Sequence, residues 1–309
     1  MSQLSIIIPT KDRDIILSST LLCAVNATRH IDVEIIVIND SKTTRPQIDL
    51  DDSNIRLLDN PKKGVASARN LGAMSATSDL LLFVDDDVQI NKDVIDQTIE
   101  LHSKNDTLVL NPDWVYPSVL RESLRSTAFG RFLMRYNFDT FKGWYNHSRW
   151  QDNSLFESPL VASFHLSISK HNFLKVEGYN EIFPHAGFED YDFPVRLRKE
   201  GLKLMINTKA LVHHNEDDRK ELRSWLERQV RGSKTRRIGV EVGYPELTIS
   251  YSPRKKTILR LLLSVKRPLI AMTDLIPNLR MFDFVYFRLT LTLQAICIFE
   301  GYQDYHEIT

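Results

Sequence analysis

Three consecutive carboxylates, Asp85-Asp86-Asp87, close the apolar run LLLFV at residues 80–84. Adjacent like charges at the end of a buried strand repel one another and cost stability unless a cation or solvent compensates. Oxygen donors of this kind suit Mg²⁺ or Mn²⁺, which bind through a few carboxylates together with substrate phosphates. An acidic turn capping the next helix is the plainer alternative, because Asp serves turns and caps well. Two more polar clusters follow apolar runs in the same way: Thr10-Lys11-Asp12-Arg13 and Asn39-Asp40. Further on, residues 219–237 are strongly basic and could grip a diphosphate or an anionic acceptor, or form a solvated cationic face. Residues 138–156 are rich in aromatics, including Trp144 and Trp150. Such rings stack on sugars but more often fill a core.

The elements that must carry these groups alternate in type. Residues 4–8 (LSIII), 33–38 (VEIIVI), 55–58 and 80–84 read as strands, and residues 14–27 and 64–76 as helices. Continuous apolar strands separated by helices predict an α/β fold with a mainly parallel sheet buried on both faces. In such a sheet ligands bind beyond the carboxyl ends of the strands. Three strand ends therefore deliver polar groups to one rim, which packing alone does not require. Beyond them the pattern predicts strands at 108–116, 161–168, 203–206 and 210–213, and helices at 118–136, 189–200 and 219–237. Residues 244–253 read as a linker before a helical tail over 254–305.

The chain has 309 residues, enough for a large core, with 42% hydrophobic and 26% charged residues as in ordinary globular proteins. Basic and acidic side chains balance at 40 each, which gives no reason to expect a nucleic-acid partner. Cys23 and Cys297 form neither a disulfide framework nor a metal pair, so a reducing, cytoplasmic setting is expected. The run at residues 4–8 stops at Pro9 and is expected to be a strand and not a signal peptide. Residues 282–299 contain Asp283 and Arg288, and Lys266-Arg267-Pro268 interrupts residues 258–272. A buried or interfacial helix is therefore expected, with no segment long enough to span a bilayer. Basic residues at 254–256, 260 and 266–267 beside Leu and Ile predict an amphipathic surface for anionic lipid. Packing on the rest of the chain, or on a second subunit, is the competing expectation.

FVDDDV, preceded in order by IPTKDR, VIND and GVASARNLGA, resembles the nucleotide-binding half of a family 2 glycosyltransferase with the GT-A fold. The resemblance implies a Rossmann-like sheet with Asp85 and Asp87 at the D-x-D positions, Asp87 being the more direct metal ligand. It places Asp86 between them at the donor, Asp40 on the base of the nucleotide (usually uracil), and Pro9, Thr10 and Arg13 beside it. Arg69 would meet phosphate, which suits a guanidinium. The small residues around Arg69 equally allow close helix–sheet approach. VEGYNEIFPHAGFEDYDFPVRLRKEGLKL resembles the family's acceptor-side segment. By that match Asp190 is the catalytic base and Glu189 an acceptor ligand, although both also favour a helix N-terminus. A histidine after the following strand completes the metal site in such enzymes, and His213 is taken over His214.

The expected activity is inverting transfer of a sugar from a nucleotide-sugar, a UDP-sugar by family analogy, to a hydroxyl of a glycan or glycolipid. Bacterial cell-surface polysaccharide assembly at the inner face of the plasma membrane is the expected setting. The Q-x-x-R-W motif of processive synthases is missing, and RQVRGSKTRR stands in its place, which favours transfer of single sugars. A sugar nucleotidyltransferase is a rival, but IPTKDR lacks the Gly-rich loop such enzymes carry after the first strand. A non-catalytic donor-binding scaffold is another, opposed by the intact Glu189-Asp190 pair. The expected division is a catalytic domain over 1–243, with a nucleotide-sugar-binding half (1–116) and an acceptor-binding half (117–243). A helical extension over 244–309, membrane-associating or oligomerising, follows.

Overall fold

The computed structural model describes all residues except Met1, Asp49, Asp51, Asp52, 146–148, 184–186 and 304–309, together with the side chains of Trp144 and Arg219. The end of the predicted tail, the PHA of the acceptor-side segment and Trp144 thus lie outside the described residues. The chain runs through β1 (Leu4–Thr10), α1 (Asp14–Thr28), β2 (Val33–Asn39), β3 (Ile55–Asp59), α2 (Val65–Ser75), β4 (Leu80–Val84) and β5 (Val88–Gln89). It continues with α3 (Lys92–Ser103), β6 (Leu108–Val115), α4 (Ser118–Arg125), α5 (Ala128–Arg135), α6 (Phe141–Tyr145), β7 (Leu155–Glu157) and β8 (His165–Ser169). It ends with α7 (Lys170–Lys175), α8 (Glu189–Lys199), β9 (Lys203–His214), α9 (Leu222–Glu241), α10 (Pro253–Ser264), α11 (Lys266–Leu275) and α12 (Asp283–Gln303).

Two compact units result, one from residues 1–117 and 140–215, the other from 118–139 and 216–309. The first holds a mixed sheet in the order β3-β2-β1-β4-β8-β6-β9-β5, with β7 also on β9. β3, β2, β1 and β4 are mutually parallel, whereas β8 runs antiparallel to both β4 and β6. β1 and β2 are buried along their whole length, as strands covered on both faces must be. Pro9 is tolerated in the central β1 because it lies beyond the last β4 pairing, Ile7 with Phe83. α2 covers this region closely: a Cβ on Gly72 would lie 2.3 Å from Ile7 Cγ2. Phe83, Phe173, Tyr179 and Phe193 fill the same core, with the Tyr179 and Phe193 rings stacked at 4.2 Å.

The strand end at Val84 falls where the aspartates predict it. The expected single helix over 118–136 is two helices, α4 and α5, because Thr127 caps a new start by accepting from Gly130 N. The two strands expected at 203–206 and 210–213 are one strand, β9. It pairs with β6 on both sides of an irregularity at Pro112/Asp113.

The second unit is helical. The Phe132 ring meets Trp225 at 5.5 Å and Phe287 at 5.7 Å, and Arg131 pairs with Asp283 at 2.6 Å. α9 and α12 approach so closely that a Cβ on Gly301 would fall 2.2 Å from the Val230 carbonyl oxygen. Residues 118–139 and 216–243 therefore belong with the tail, which differs from the expected division at 243/244. Arg280–Gln303 is also long and apolar enough to cross a membrane by length and composition. That corrects the expectation that no segment reaches such a length, because Asp283 and Arg288 do not offset its apolar majority. Within its unit the helix buries Leu293, Ile296, Cys297 and Phe299.

Candidate functional site

The strand order places β2 and β3 on one side of β1 and β4 on the other. The carboxyl ends of β1 and β4 thus flank a switch point, where an open α/β sheet leaves a crevice. Thr10 ends β1 and the three aspartates follow β4, so the polar clusters predicted for one rim do meet there. Thr10 Oγ1 donates to Asp86 Oδ2 at 2.7 Å. Arg13 forms a fork, with Nη1 on Asp86 Oδ1 and Nη2 on Asp87 Oδ2 at 2.8 Å. From α1, Thr20 Oγ1 donates to the Asp86 carbonyl at 2.7 Å and fixes the turn. Two of the three carboxylates are almost fully buried, and a guanidinium supplies the compensating charge. Burial still pushes the Asp86 carboxyl up to about 7, with Arg13 opposing the rise and Asp87 adding to it.

Arg69 joins this cluster to Glu189. Its Nη2 meets Asp85 Oδ1 at 2.7 Å and its Nη1 meets Glu189 Oε1 at 3.1 Å, with the arginine only 3% exposed. The guanidinium lies over the Tyr179 ring, 5.3 Å from its centre. Burial works against its charge, but the facing Asp85 and Glu189 hold its pKa above the ordinary value. Glu189 is placed by α8, where Gly187 N also donates to its Oε2 at 2.6 Å. Burial, then the charge of Asp190, raises the Glu189 carboxyl to about 7.

Asp190 stands beside it. Ser163 gives both its backbone N–H, at 2.9 Å, and its hydroxyl to Asp190 Oδ1. Ser163 reaches the rim because Asp85 N donates to the Phe164 carbonyl at 2.8 Å, which continues the β4–β8 ladder. Burial raises the Asp190 carboxyl above its usual range, while Arg69 and the Ser163 hydrogen bonds pull it down. Asp192, two positions on, pairs with Arg196 at 2.7 Å.

Asp40 lies on the β2 side of the rim. Its Oδ1 accepts from Asn60 Nδ2 at 2.7 Å and from Gly64 N at 2.9 Å, so it holds the entry to α2. Gly64 has φ 108°, a conformation that costs a glycine least. Pro9 shapes the strand end and, being apolar, gives the cluster no polar side-chain group.

β9 brings up the histidine. His214 Nε2 lies 3.1 Å from Asp87 Oδ1, and Trp114 stands edge-on to its ring at 5.0 Å. His213 points the other way: it is exposed, in register with Gln89 and Val115. The expectation for His213 therefore fails on geometry, and His214 is the residue at the aspartates. Strand parity carries the signal: Ala210 and Val212 are buried, while Leu211 and His213 are exposed. Ser163, Thr20 and Tyr179 also went unrecognised. Ser163 contacts Asp190 across 27 positions of sequence and lies in no motif.

Ligand atoms about 2.1 Å from one octahedral ion lie roughly 3 Å apart. Asp87 Oδ1 and His214 Nε2 have that separation, an oxygen and a nitrogen donor of the kind Mg²⁺ or Mn²⁺ accepts.

A sheet of this order, with an acidic cluster at its switch point and a second carboxylate pair opposite, is that of the GT-A class. The fold is shared with solved structures at low sequence identity. GalNAc-T7 with UDP, GalNAc and Mn²⁺ gives a TM-score of 0.53 at 15% identity, over 70% of this chain and 43% of that one. S. aureus TarS 1–349 gives 0.50 at 13% identity, over 99% and 92%. The chain belongs to glycosyl transferase family 2, whose sequence model matches residues 5–161. It is 26% identical over 249 residues to a chondroitin synthase of Pasteurella multocida (strain Pm70), covering 71% of this chain and 25% of that protein. It is 28% identical over 249 residues to a Pasteurella multocida hyaluronan synthase, with the same coverage of 71% and 25%. The chain thus spans about 25% of the length of these curated relatives.

Proposed function

We propose that the chain is a metal-dependent, inverting glycosyltransferase that moves a sugar from a UDP-sugar to a hydroxyl of a glycan or glycolipid in polysaccharide assembly. The observation that carries this reading is Arg69. One buried guanidinium is shared between the D-x-D aspartate Asp85 and Glu189, the neighbour of Asp190. Two carboxylate centres with different tasks are what displacement at an anomeric carbon requires. One balances the leaving diphosphate, and the other removes a proton from the attacking hydroxyl.

Asp190 suits the second task. Ser163 fixes Oδ1, which leaves Oδ2 to face a hydroxyl, and its raised pKa makes the carboxylate a stronger base than an exposed one. Glu189 would accept from a neighbouring acceptor hydroxyl. Asp40 and the β1 end, with Pro9, Thr10 and Arg13, would border the nucleotide, and Asp86 would orient Arg13. Asp85, Asp87 and His214 would hold Mg²⁺ or Mn²⁺, which when bound offsets charge on the departing diphosphate. Arg13 and Arg69 add fixed positive charge on the same side. The choice of UDP and of a polysaccharide setting draws support from the similar proteins: GalNAc-T7 with UDP and Mn²⁺, and the chondroitin and hyaluronan synthases.

The test is Asp190→Asn with UDP-sugars and Mn²⁺. Transfer falls by roughly 10²–10⁴-fold, the usual contribution of a positioned base, while donor binding measured by calorimetry is unchanged. Full transfer by the variant would remove the base assignment.

A further inference from the structure

Nineteen large hydrophobic residues are exposed among the described ones, and nine of them fall between residues 258 and 285. They include Ile258 and Leu261 of α10, Leu275 at the end of α11, Met281 just before α12 and Phe284 at its start, with Leu275 80% exposed. Ile258 and Leu261 of α10 and Val265 at its C-terminal end recur at helical spacing, and Leu259 is the buried residue of the helix. Scattered single hydrophobics need no explanation, whereas a contiguous set does.

The charge of the same surface says what covers it. Residues 254–288 contain eight Lys and Arg but only two acidic residues, Asp274 and Asp283. Both acids are already paired within the unit, with Arg223 at 2.7 Å and Arg131 at 2.6 Å. Arg254, Lys255, Arg260, Arg267, Arg280 and Arg288 remain on the outside among the apolar side chains. A second copy would bring an equally cationic face against this one and be repelled. A surface that offers both hydrocarbon and negative charge satisfies it.

We propose that α10, α11 and the start of α12 form a docking surface for an anionic lipid bilayer, lying in the headgroup layer with the exposed apolar side chains inserted. Spanning is the poorer fit for α12. Its inner side (Thr290, Leu293, Ile296 and Phe299) is buried against its own unit, and Ser233 Oγ donates to Ile298 O at 2.6 Å. Crossing a bilayer would pull those contacts apart.

Flotation of the full chain with vesicles of phosphatidylcholine, with and without phosphatidylglycerol, tests this independently of sugar transfer. Binding is expected only to the anionic vesicles and should weaken as salt is raised. Arg254→Glu with Lys255→Glu should reduce binding at least about tenfold, since each basic side chain near an anionic surface contributes on that order. Met281→Ser with Phe284→Ser should reduce it as well, with an unchanged melting temperature because both side chains are exposed. Equal binding to neutral vesicles, or binding to neither kind, would overturn the proposal. So would a solution dimer that the Met281/Phe284 variant dissociates in a chain that ignores both vesicles.

Discussion

Ser163 turns two donors, its backbone N–H and its hydroxyl, onto one oxygen of Asp190. Such economy of position is the theme at the scale of single residues. Asp87 meets Arg13 on one oxygen and His214 on the other, with 1% of its side chain exposed. His213, one position earlier, lies on the opposite face of β9. Two variants separate them. His214→Ala should weaken Mn²⁺ binding by at least the roughly tenfold that even outer-shell partners of a metal contribute. His213→Ala should leave it unchanged, and calorimetric titration of Mn²⁺ reads both. A larger loss in His213→Ala than in His214→Ala would return the ligand role to His213.

At the scale of elements, the motif-bearing helix α2 is held close to the sheet by absence of a side chain. Gly72→Ala gains up to about 1 kcal/mol of helix propensity, but the new Cβ overlaps Ile7 Cγ2 at 2.3 Å. Overpacking of that kind costs about 1–3 kcal/mol, so the loss wins and the melting temperature should fall. A stabilised variant would show that α2 has room to move. The parallel strands and their ends were legible in the sequence because each is a continuous apolar run stopped by a polar cluster. β5 was not, since two residues, Val88 and Gln89, become a strand only by pairing with His214 and His213 far along the chain. Nor was the continuity of β9. Asn207-Thr208-Lys209 reads as a turn, yet Ser154 N and O bind Thr208 and keep the strand intact. Asp40, Asp85–87 and Glu189-Asp190 were legible because the segments that hold them resemble family 2 glycosyltransferase motifs. Ser163 and Tyr179 were not, because their roles exist only after β8 and α8 have packed.

At the scale of the molecule, the division into units follows packing and not sequence order. Residues 118–139 leave the sheet unit and take their aromatic partners from Trp225 and Phe287. The sheet unit also carries a built-in sensitivity to acid. Burial lowers the His165 pKa to about 4, from an ordinary 6.5. Between those values the unfolded chain binds a proton that the folded chain refuses, so this histidine's contribution to stability is lost as pH falls through the window. Glu189 and Asp86, with raised values near 7, act with the opposite sign. The comparison must therefore be made within one pair of proteins. Urea unfolding at pH 7 and pH 5 should show the wild type losing about 2 kcal/mol more than His165→Phe. Equal losses would mean that the ring is protonated in the folded state.

Arg69 has one further consequence. Because a single guanidinium serves Asp85 and Glu189, removing either carboxylate does not simply delete one ion pair. The arginine is released to strengthen its bond with the survivor, and the second removal then costs more than the first. Substitutions at Asp85 and at Glu189 are thus thermodynamically coupled, and the energy of neither carboxylate can be assigned without a double-mutant cycle through the other.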